Sequence, residues 1–292
     1  MAAMDTTDLR VFEAVARLGG MGRAAGELNT VQSNVTTRIR ALETGLGVTL
    51  FDRHARGVTL TAAGRRLLPY AARAQHLLAE AAAAARDDGA PRGPLLIGSL
   101  ETTAAMHLPP MLAAYARAHP DVDLVLRTGT TQEMMEEVLA ERLDGAFVCG
   151  PVEHPALAAE ATFREELALM SAPGVHDPLA PQGLRIVVLR AGCSYRQRLE
   201  ALLARRGVIG PRMLEFGTLE AIFGAVEAGL GVTLLPARLV PRVVTAGRLA
   251  LHRLPPAEGQ VETVFLRRRE SRVSSALAAF LEEARRRPAE AA

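Results

Sequence analysis

The chain has 292 residues, 49% hydrophobic content and a formal net charge of +2. At about 150 residues per domain this length fits two domains, or one small and one large, and the near-neutral charge decides nothing about a polyanionic partner. Cys149 and Cys193 are too few for a disulfide scaffold, and the 43 residues between them match no metal-ligand spacing. All 34 basic residues are Arg, which either reflects a GC-rich genome or selects the bidentate chemistry of guanidinium. Asp5, Asp8, Arg10 and Glu13 interrupt any apolar leader, and no uncharged run approaches the roughly 18 residues of a membrane span. A soluble, cytoplasmic chain with no membrane partner is the expectation.

Asp8–Leu18 places Leu9, Phe12, Val15 and Ala16 on one face of a helix that Gly19 and Gly20 stop. A short helix over Arg23–Leu28 follows. Thr30 is expected to N-cap a third helix, whose apolar stripe is Val31, Val35, Ile39, Leu42 and Leu46. At about 100° per residue the opposite face carries Ser33, Thr37 and Arg40, with Gln32 and Thr36 on its edge. Short hydrogen-bonding side chains plus a cation suit the reading of a DNA major groove. An ordinary amphipathic helix with a solvated face has the same periodicity. Val48–Phe51, a polar turn over Asp52–Gly57, and Val58–Leu60 predict a hairpin with Arg53 and Arg56 at its tip. From Met21 to Arg66, seven Arg stand against Glu27, Glu43 and Asp52, a local net of +4 and the electrostatic footprint expected on DNA. Three helices and a wing together favour a helix-turn-helix DNA reader.

The run RAAGELNTVQSNVTTRIRALETGLGVTLFDRHARGVTLTAAG, Arg23 to Gly64, resembles the winged helix-turn-helix of LysR-type transcriptional regulators. The resemblance implies binding to double-stranded DNA at an inverted-repeat operator, with the third helix in the major groove and the wing on the backbone or minor groove. It implies base or phosphate contacts by Gln32 and Ser33, a groove-facing Thr36, Thr37 and Arg40, and backbone contacts by Arg53 and Arg56. Arg23 and Asn29 join the same DNA-facing set. The family often has Arg where this chain has Thr37, and its second helix usually opens on Ser or Thr rather than on Gly20-Met21-Gly22.

Thr61 is expected to cap a long helix, TAAGRRLLPYAARAQHLLAEAAAAARDD, with Leu67, Leu68, Ala71, Ala74, Leu77, Leu78 and Ala81 along one seam and a bend at Pro69. A seam with little else to bury it asks for a partner helix. Asp87–Pro94 then reads as a hinge. In the LysR family the corresponding helix pairs antiparallel with its counterpart, which implies a homodimer, assembly to a homotetramer, and contact with RNA polymerase.

From Leu95 the pattern alternates. Strands are expected at Leu95–Ser99, Val122–Leu126, Gly145–Val148, Arg185–Leu189, Met213–Phe216 and Gly231–Leu235, and helices at Ala104–Ala118, Thr131–Arg142, Arg196–Arg206 and Leu219–Ala228. This is the order of an α/β parallel sheet. Glu166–Ser171 and Val261–Leu266 suit strands crossing between two halves, and a terminal helix from Arg272 would pack on the first. Phrases such as LLIGSLETTAAMHLPPML, LDGAFV and VEAGLGVTLLP resemble the periplasmic-binding-protein fold that serves LysR regulators as effector domain. The expected class is α plus α/β: winged helix-turn-helix (1–61), linker helix and hinge (62–92), and effector domain (93–292). The last divides into subdomain I (about 93–165 and 266–292) and subdomain II (about 166–265).

Ligands of such sheets bind where strands end and helices begin. Four loops qualify: Ser99 to Thr103, Thr128 to Thr131, Gly192 to Arg196, and Gly217-Thr218. The candidate effector set is Ser99, Glu101, Thr102, Thr103, Thr128, Thr130, Thr131, Cys193, Ser194, Tyr195, Arg196, Gly217 and Thr218. Hydroxyls, backbone amides and one guanidinium suit a small anion such as a carboxylate, with Arg196 as its cation; each hydroxyl could equally be a helix cap. Glu101 would pair with Arg196 or with an amine on the ligand. The identity of the effector is open. Cys193 also permits a redox-sensing regulator of the same fold, although no resolving Cys follows it closely. No cofactor or metal is expected. The seven His are scattered, and GxSxG, P-loop, HExxH and GxGxxG are all absent, which argues against an enzyme. A transported-solute receptor is disfavoured by the missing export signal and the winged-helix head.

Overall fold

In the computed structural model, which describes residues 4–54, 57–180, 183–240 and 247–286, the first helix, α1 (Thr6–Leu18), begins with Asp5 accepting the Asp8 amide at 2.7 Å. It ends at Gly19, whose left-handed φ of 65° suits a residue without a Cβ. Helices α2 (Met21–Glu27) and α3 (Gln32–Leu46) follow. Between them Asn29 adopts a φ of 50°, and the Thr30 amide reaches back to the Ala25 carbonyl at 3.0 Å. Asn tolerates this region better than other non-glycine residues. The helix-turn-helix corner is therefore made by Asn29, and this shifts the start of α3. Thr30 is not its N-cap: Val31 stands there without a side-chain cap, and the Thr30 hydroxyl accepts from the Asn34 amide group at 2.9 Å.

The buried stripe of α3 is Val35, Ile39 and Leu42, which pack on Phe12, Val15, Ala24 and Leu50. Val31 and Leu46, expected in that stripe, are 64% and 41% exposed. Strands β1 (Phe51–His54) and β2 (Gly57–Leu60) pair antiparallel, with Phe51 opposite Leu60 and His54 opposite Gly57. The first strand starts three residues later than expected because Glu43 captures the Leu50 and Phe51 amides at 2.8 and 3.3 Å. Gly57 is required twice over: its φ is 137°, and a Cβ there would strike the Gly19 carbonyl. Thr61 caps the 25-residue helix α4 (Ala62–Arg86) by accepting the Gly64 amide, and Pro69 lies inside it. The chain divides into two units: Met1–Asp88 with Ala140–Arg142, and Gly89–Leu139 with Leu143–Ala292.

The second unit is built on β3 (Gly93–Ser99). Helices α5 (Glu101–Met106) and α6 (Leu108–Ala118) follow, then β4 (Val122–Thr128), α7 (Thr131–Leu139), β5 (Gly145–Cys149) and the 15-residue β6 (Leu157–Ser171). The expected single helix Ala104–Ala118 is thus two, broken at His107 ahead of Pro109 and Pro110, which occupy the start of α6. The second lobe holds β7 (Arg185–Leu189), α8 (Ser194–Arg205), β8 (Arg212–Phe216), α9 (Leu219–Glu227), β9 (Thr233–Pro236) and β10 (Ala250–Arg253). A short α10 (Pro256–Gly259), β11 (Gln260–Arg268) and α11 (Ser275–Arg286) complete the described chain.

Among the described residues the largest sheet has seven strands in the order β10–β6–β11–β5–β3–β4, with β9 also on β6. Strands β3, β4 and β5 run parallel, while β11 and β6 are antiparallel. One face of the first lobe packs Leu95, Ile97, Phe147 and Phe265 against Tyr115 of α6 and Phe280 of α11. The other packs Ala146 and Val148 against Met134 and Val138 of α7. Strand β6 joins the lobes. Its residues up to Glu166 pair with β11; from Leu167 onward it pairs with β9 and β10. The expected second crossing strand, Val261–Leu266, is the body of β11, between β5 and the first half of β6, with Val261 in the core of the second lobe and Phe265 in that of the first. In the second lobe β7 and β8 pair in parallel, and Ile186, Val187, Leu199, Leu203, Ile222 and Phe223 form the core. No helix among the described residues is long and apolar enough to cross a membrane.

Candidate functional site

On α3, Gln32, Ser33, Thr37 and Arg40 are exposed and Thr36 is half-buried, opposite the core residues Val35 and Ile39. Gly22 leaves space for Gln32, since a Cβ there would lie 3.2 Å from the Gln32 Oε1. Arg38 does not belong to that face: its guanidinium bonds Asp8 at 2.8 Å and lies 3.7 Å from Asp5, tying α3 to α1. Arg23 is exposed, but its Nε donates to the Leu18 carbonyl at 2.6 Å and closes the α1–α2 turn. Asn29 is exposed at the corner, and Arg53 is exposed on β1. Arg56, expected beside Arg53, lies outside the described residues.

In the second unit a cavity of about 280 Å³ opens where parallel strands end. Leu100, Glu101 and Thr102 come from the end of β3, and Thr128, Gly129 and Thr130 from the end of β4. Leu189 ends β7, Arg190, Cys193 and Tyr195 follow it, and Gly217 and Thr218 follow β8. Both lobes contribute. Thr130 and Glu133 cap α7 reciprocally: the Thr130 amide donates to the Glu133 carboxylate at 2.8 Å and the Thr130 hydroxyl accepts the Glu133 amide at 3.2 Å. That amide, joined by Arg190 at 2.9 Å, holds the Glu133 carboxyl below its ordinary range. Thr218 caps α9. These hydroxyls are caps and cavity lining at once.

Eight of the thirteen expected effector residues line this cavity: Glu101, Thr102, Thr128, Thr130, Cys193, Tyr195, Gly217 and Thr218. The other five are placed elsewhere. Ser99 is fully buried and donates to the Leu100 carbonyl. Thr103 is fully buried, and its hydroxyl has no hydrogen-bond partner among the described residues. Ser194 donates to Thr131 at 2.8 Å, and both line a separate cavity of about 650 Å³ with Gln197, Arg198 and Arg205. Arg196, expected to be the ligand's cation, bonds Glu215 at 2.7 Å and Glu200 at 3.0 Å, and Glu101 does not pair with it. Glu101 instead accepts the Leu219 amide at 3.4 Å, the first residue of α9. Leu100 and Gly129 also line it and lie inside two of the expected loops, whereas Leu189 and Arg190 lie outside all four. Both sit at the end of β7, so starting the expected Gly192 to Arg196 loop at the strand end itself would have included them.

Behind the cavity wall lies a buried polar cluster that no sequence motif announced. Glu165 of β6, its side chain 1% exposed, accepts from the Tyr195 hydroxyl and the Thr263 hydroxyl, each at 3.2 Å. His107 Nε2 lies 3.2 Å from the same carboxylate, and its ring stacks on Phe163 at 4.3 Å. Thr102 and Tyr195 hydroxyls are 3.3 Å apart. Since the Tyr195 proton points to Glu165, Thr102 is the donor to Tyr195. Burial, reinforced by Glu165, holds the Tyr195 phenol well above its ordinary range. Burial likewise pushes up the thiols of Cys149 and Cys193, both free. A raised thiol has little thiolate, the form that oxidants attack. Among the described residues no group of His, Cys, Asp and Glu is arranged to hold a metal ion.

Comparison with known proteins covers both units. Residues 6–65 match the model of the lysR family of bacterial regulatory helix-turn-helix proteins, and residues 88–289 match the LysR substrate binding domain. YusT of Bacillus subtilis strain 168, an uncharacterized HTH-type transcriptional regulator, is 47% identical over 279 residues, which is 96% of this chain and 95% of YusT. The HTH-type transcriptional regulator GltR of the same organism is 43% identical over 276 residues, 94% of this chain and 93% of GltR. The crystal structure of full-length CbnR complexed with its target DNA superposes with a TM-score of 0.70 at 27% identity, covering 97% of this chain and 99% of that one.

Proposed function

The chain belongs to the lysR family of bacterial transcriptional regulators, and from that premise we propose how its parts divide the work. It is a DNA-binding regulator with a winged helix-turn-helix and an effector-binding domain. Its parts are the DNA reader (1–61), the linker (62–92) and the effector domain (93–292), whose two subdomains meet near residues 165 and 266. Gln32, Ser33, Thr36, Thr37 and Arg40 address the major groove at an inverted-repeat operator, and Arg53 addresses the backbone. Phosphate contacts give affinity on any sequence, and base-edge contacts give the preference for the operator. The face is rich in Thr rather than Arg, so doubling it in a dimer supplies much of the selectivity.

The dimer is formed through α4, where Tyr70, Leu77 and Leu78 are 69%, 43% and 47% exposed. Burying what remains exposed of each contributes about 1 kcal/mol, roughly half the value for a fully exposed side chain of this size. Two dimers make a tetramer, which works in the cytoplasm and contacts RNA polymerase.

A small metabolite occupies the 280 Å³ cavity and biases the protein towards the arrangement that it binds better. The observation that carries this reading is the cavity's position, at the ends of four parallel strands with residues from both lobes. Tyr195 lines the cavity and donates to Glu165 on β6, the strand that pairs in both lobes. A ligand that shifts Tyr195 therefore acts on the strand joining them.

Footprinting on the DNA upstream of the chain's own gene, with and without a metabolite panel, tests the reading. One or more metabolites should change the footprint. Gly217→Phe, at a position where a Cβ meets nothing within 4 Å, fills the cavity and should abolish that change while operator binding persists. A response that survives Gly217→Phe places the effector elsewhere.

A further inference from the structure

The cavity is lined by charges of both signs. Among its lining residues, Glu101 and Arg190 are the groups charged at neutral pH, since burial keeps Tyr195 and Cys193 protonated. They have opposite signs and come from opposite lobes, Glu101 from α5 after β3 and Arg190 from the loop after β7. Arg190 lines the wall and makes a 2.9 Å ion pair from Nη2 to Glu133, both side chains about half exposed. The other N–H groups of its planar fork suit a carboxylate. Glu101 has no cationic partner among the described residues. Its hydrogen bond, 3.4 Å from the Leu219 amide, is beyond the usual 2.7–3.2 Å of an N–H···O bond. A partly exposed carboxylate on the wall with no cationic partner among the described residues is available to a ligand's cation.

We propose that the ligand is a small zwitterion, an α-amino acid or a close analogue, with its ammonium on Glu101 and its carboxylate towards Arg190. The proposal rests on the reading of this cavity as the effector site. A simple carboxylate would satisfy Arg190 and face Glu101 with like charge. A simple amine would satisfy Glu101 but leave unused the N–H groups of Arg190 that Glu133 does not take. The hydroxyls of Thr102, Thr128 and Thr218 serve either end, as donors to a carboxylate or acceptors from an ammonium. A volume of about 280 Å³ is at the low end for ligand sites, which favours a single amino acid over a larger conjugate.

Thermal shift and titration calorimetry of the full-length protein with the twenty proteinogenic amino acids test the class. Each binder is then compared with its 2-oxo acid, which lacks the ammonium, and with its decarboxylated amine. At least one amino acid should stabilise the protein, and both counterparts should bind at least about tenfold more weakly, the loss of one charged hydrogen-bond set. Glu101→Gln should weaken the amino acid by a similar factor. The comparison of compounds needs no variant and survives a folding defect in Glu101→Gln. A 2-oxo acid that binds as tightly as its amino acid, an unchanged affinity in Glu101→Gln, or no binding by any amino acid overturns the proposal. Gly217→Phe separates the two readings. A compound that ignores Glu101→Gln but is blocked by Gly217→Phe overturns the zwitterion and keeps the cavity; one that binds both variants like the parent overturns the cavity as well.

Discussion

Replacing Glu165 tests whether the buried cluster behind the cavity is a structural joint. The carboxylate takes hydrogen bonds from Tyr195 and Thr263 and contacts His107, all at 3.2 Å, in surroundings that leave it 1% exposed. Glu165→Ala would leave those three polar groups without their partner. Each orphaned buried group costs about 1–3 kcal/mol, and Tyr195 recovers part by turning its proton to Thr102, so the net loss is about 3–5 kcal/mol. For a unit of this size that lowers its Tm by about 10 °C. Glu165→Gln keeps the shape and one acceptor oxygen for Thr263 and His107. Its amide meets the Tyr195 oxygen, which is freed to accept once its proton moves to Thr102, so the loss should be about 1 kcal/mol. Urea unfolding followed by circular dichroism measures both. If Glu165→Ala costs under about 1 kcal/mol, or Glu165→Gln costs as much as Ala, the cluster is not the joint described.

Three more outcomes follow from other residues. Asn29→Ala should destabilise the first unit by about 1 kcal/mol because of the left-handed φ, while Asn29→Gly should not, and thermal unfolding distinguishes them. The Tyr115 hydroxyl, buried and donating to the Ala276 carbonyl at 2.8 Å, has its pKa pushed up to about 12 by burial. Its protonated form is favoured by folding, so that contribution is complete below about pH 10 and is lost as pH rises towards 12; Tyr115→Phe should flatten that part of the stability curve. Leu77→Glu together with Leu78→Glu should convert the oligomer to smaller species in analytical ultracentrifugation, and an unchanged sedimentation coefficient would remove α4 from the interface.

The positions of the cavity loops were readable because they follow a rule of the fold: ligands meet parallel strands at their carboxyl ends. The ends of β3, β4, β7 and β8 each carry a stretch that the strand pattern already marked. The direction of individual side chains was not readable. Arg196 lies in the first turn of a helix that follows a strand end, as the rule requires, yet Glu200 one turn on and Glu215 on β8 claim it. The arginine that lines the cavity is Arg190, six residues earlier. Glu165, His107 and Tyr195 meet only through tertiary packing, 58 and 30 residues apart in the chain. In the first unit the periodicity of α3 was visible, but its start depended on Asn29 adopting a left-handed turn, and propensity at Thr30 argued equally for a cap. The late start of β1 follows from Glu43 taking two backbone amides, a long-range competition that no local pattern reports. The break at His107 was legible in Pro109-Pro110, which belong at a helix start and not within one.

The most direct test of the DNA-reading face is fluorescence anisotropy on the operator and on random duplex over a salt series, for the parent protein, Gln32→Ala and Arg53→Ala. Gln32→Ala should lose about 1–3 kcal/mol on the operator and almost nothing on random duplex, whereas Arg53→Ala should weaken both equally and reduce the salt slope by about one. An equal loss on both duplexes for Gln32→Ala, or a parent protein with no preference for the operator, would contradict the assignment of α3 to base reading.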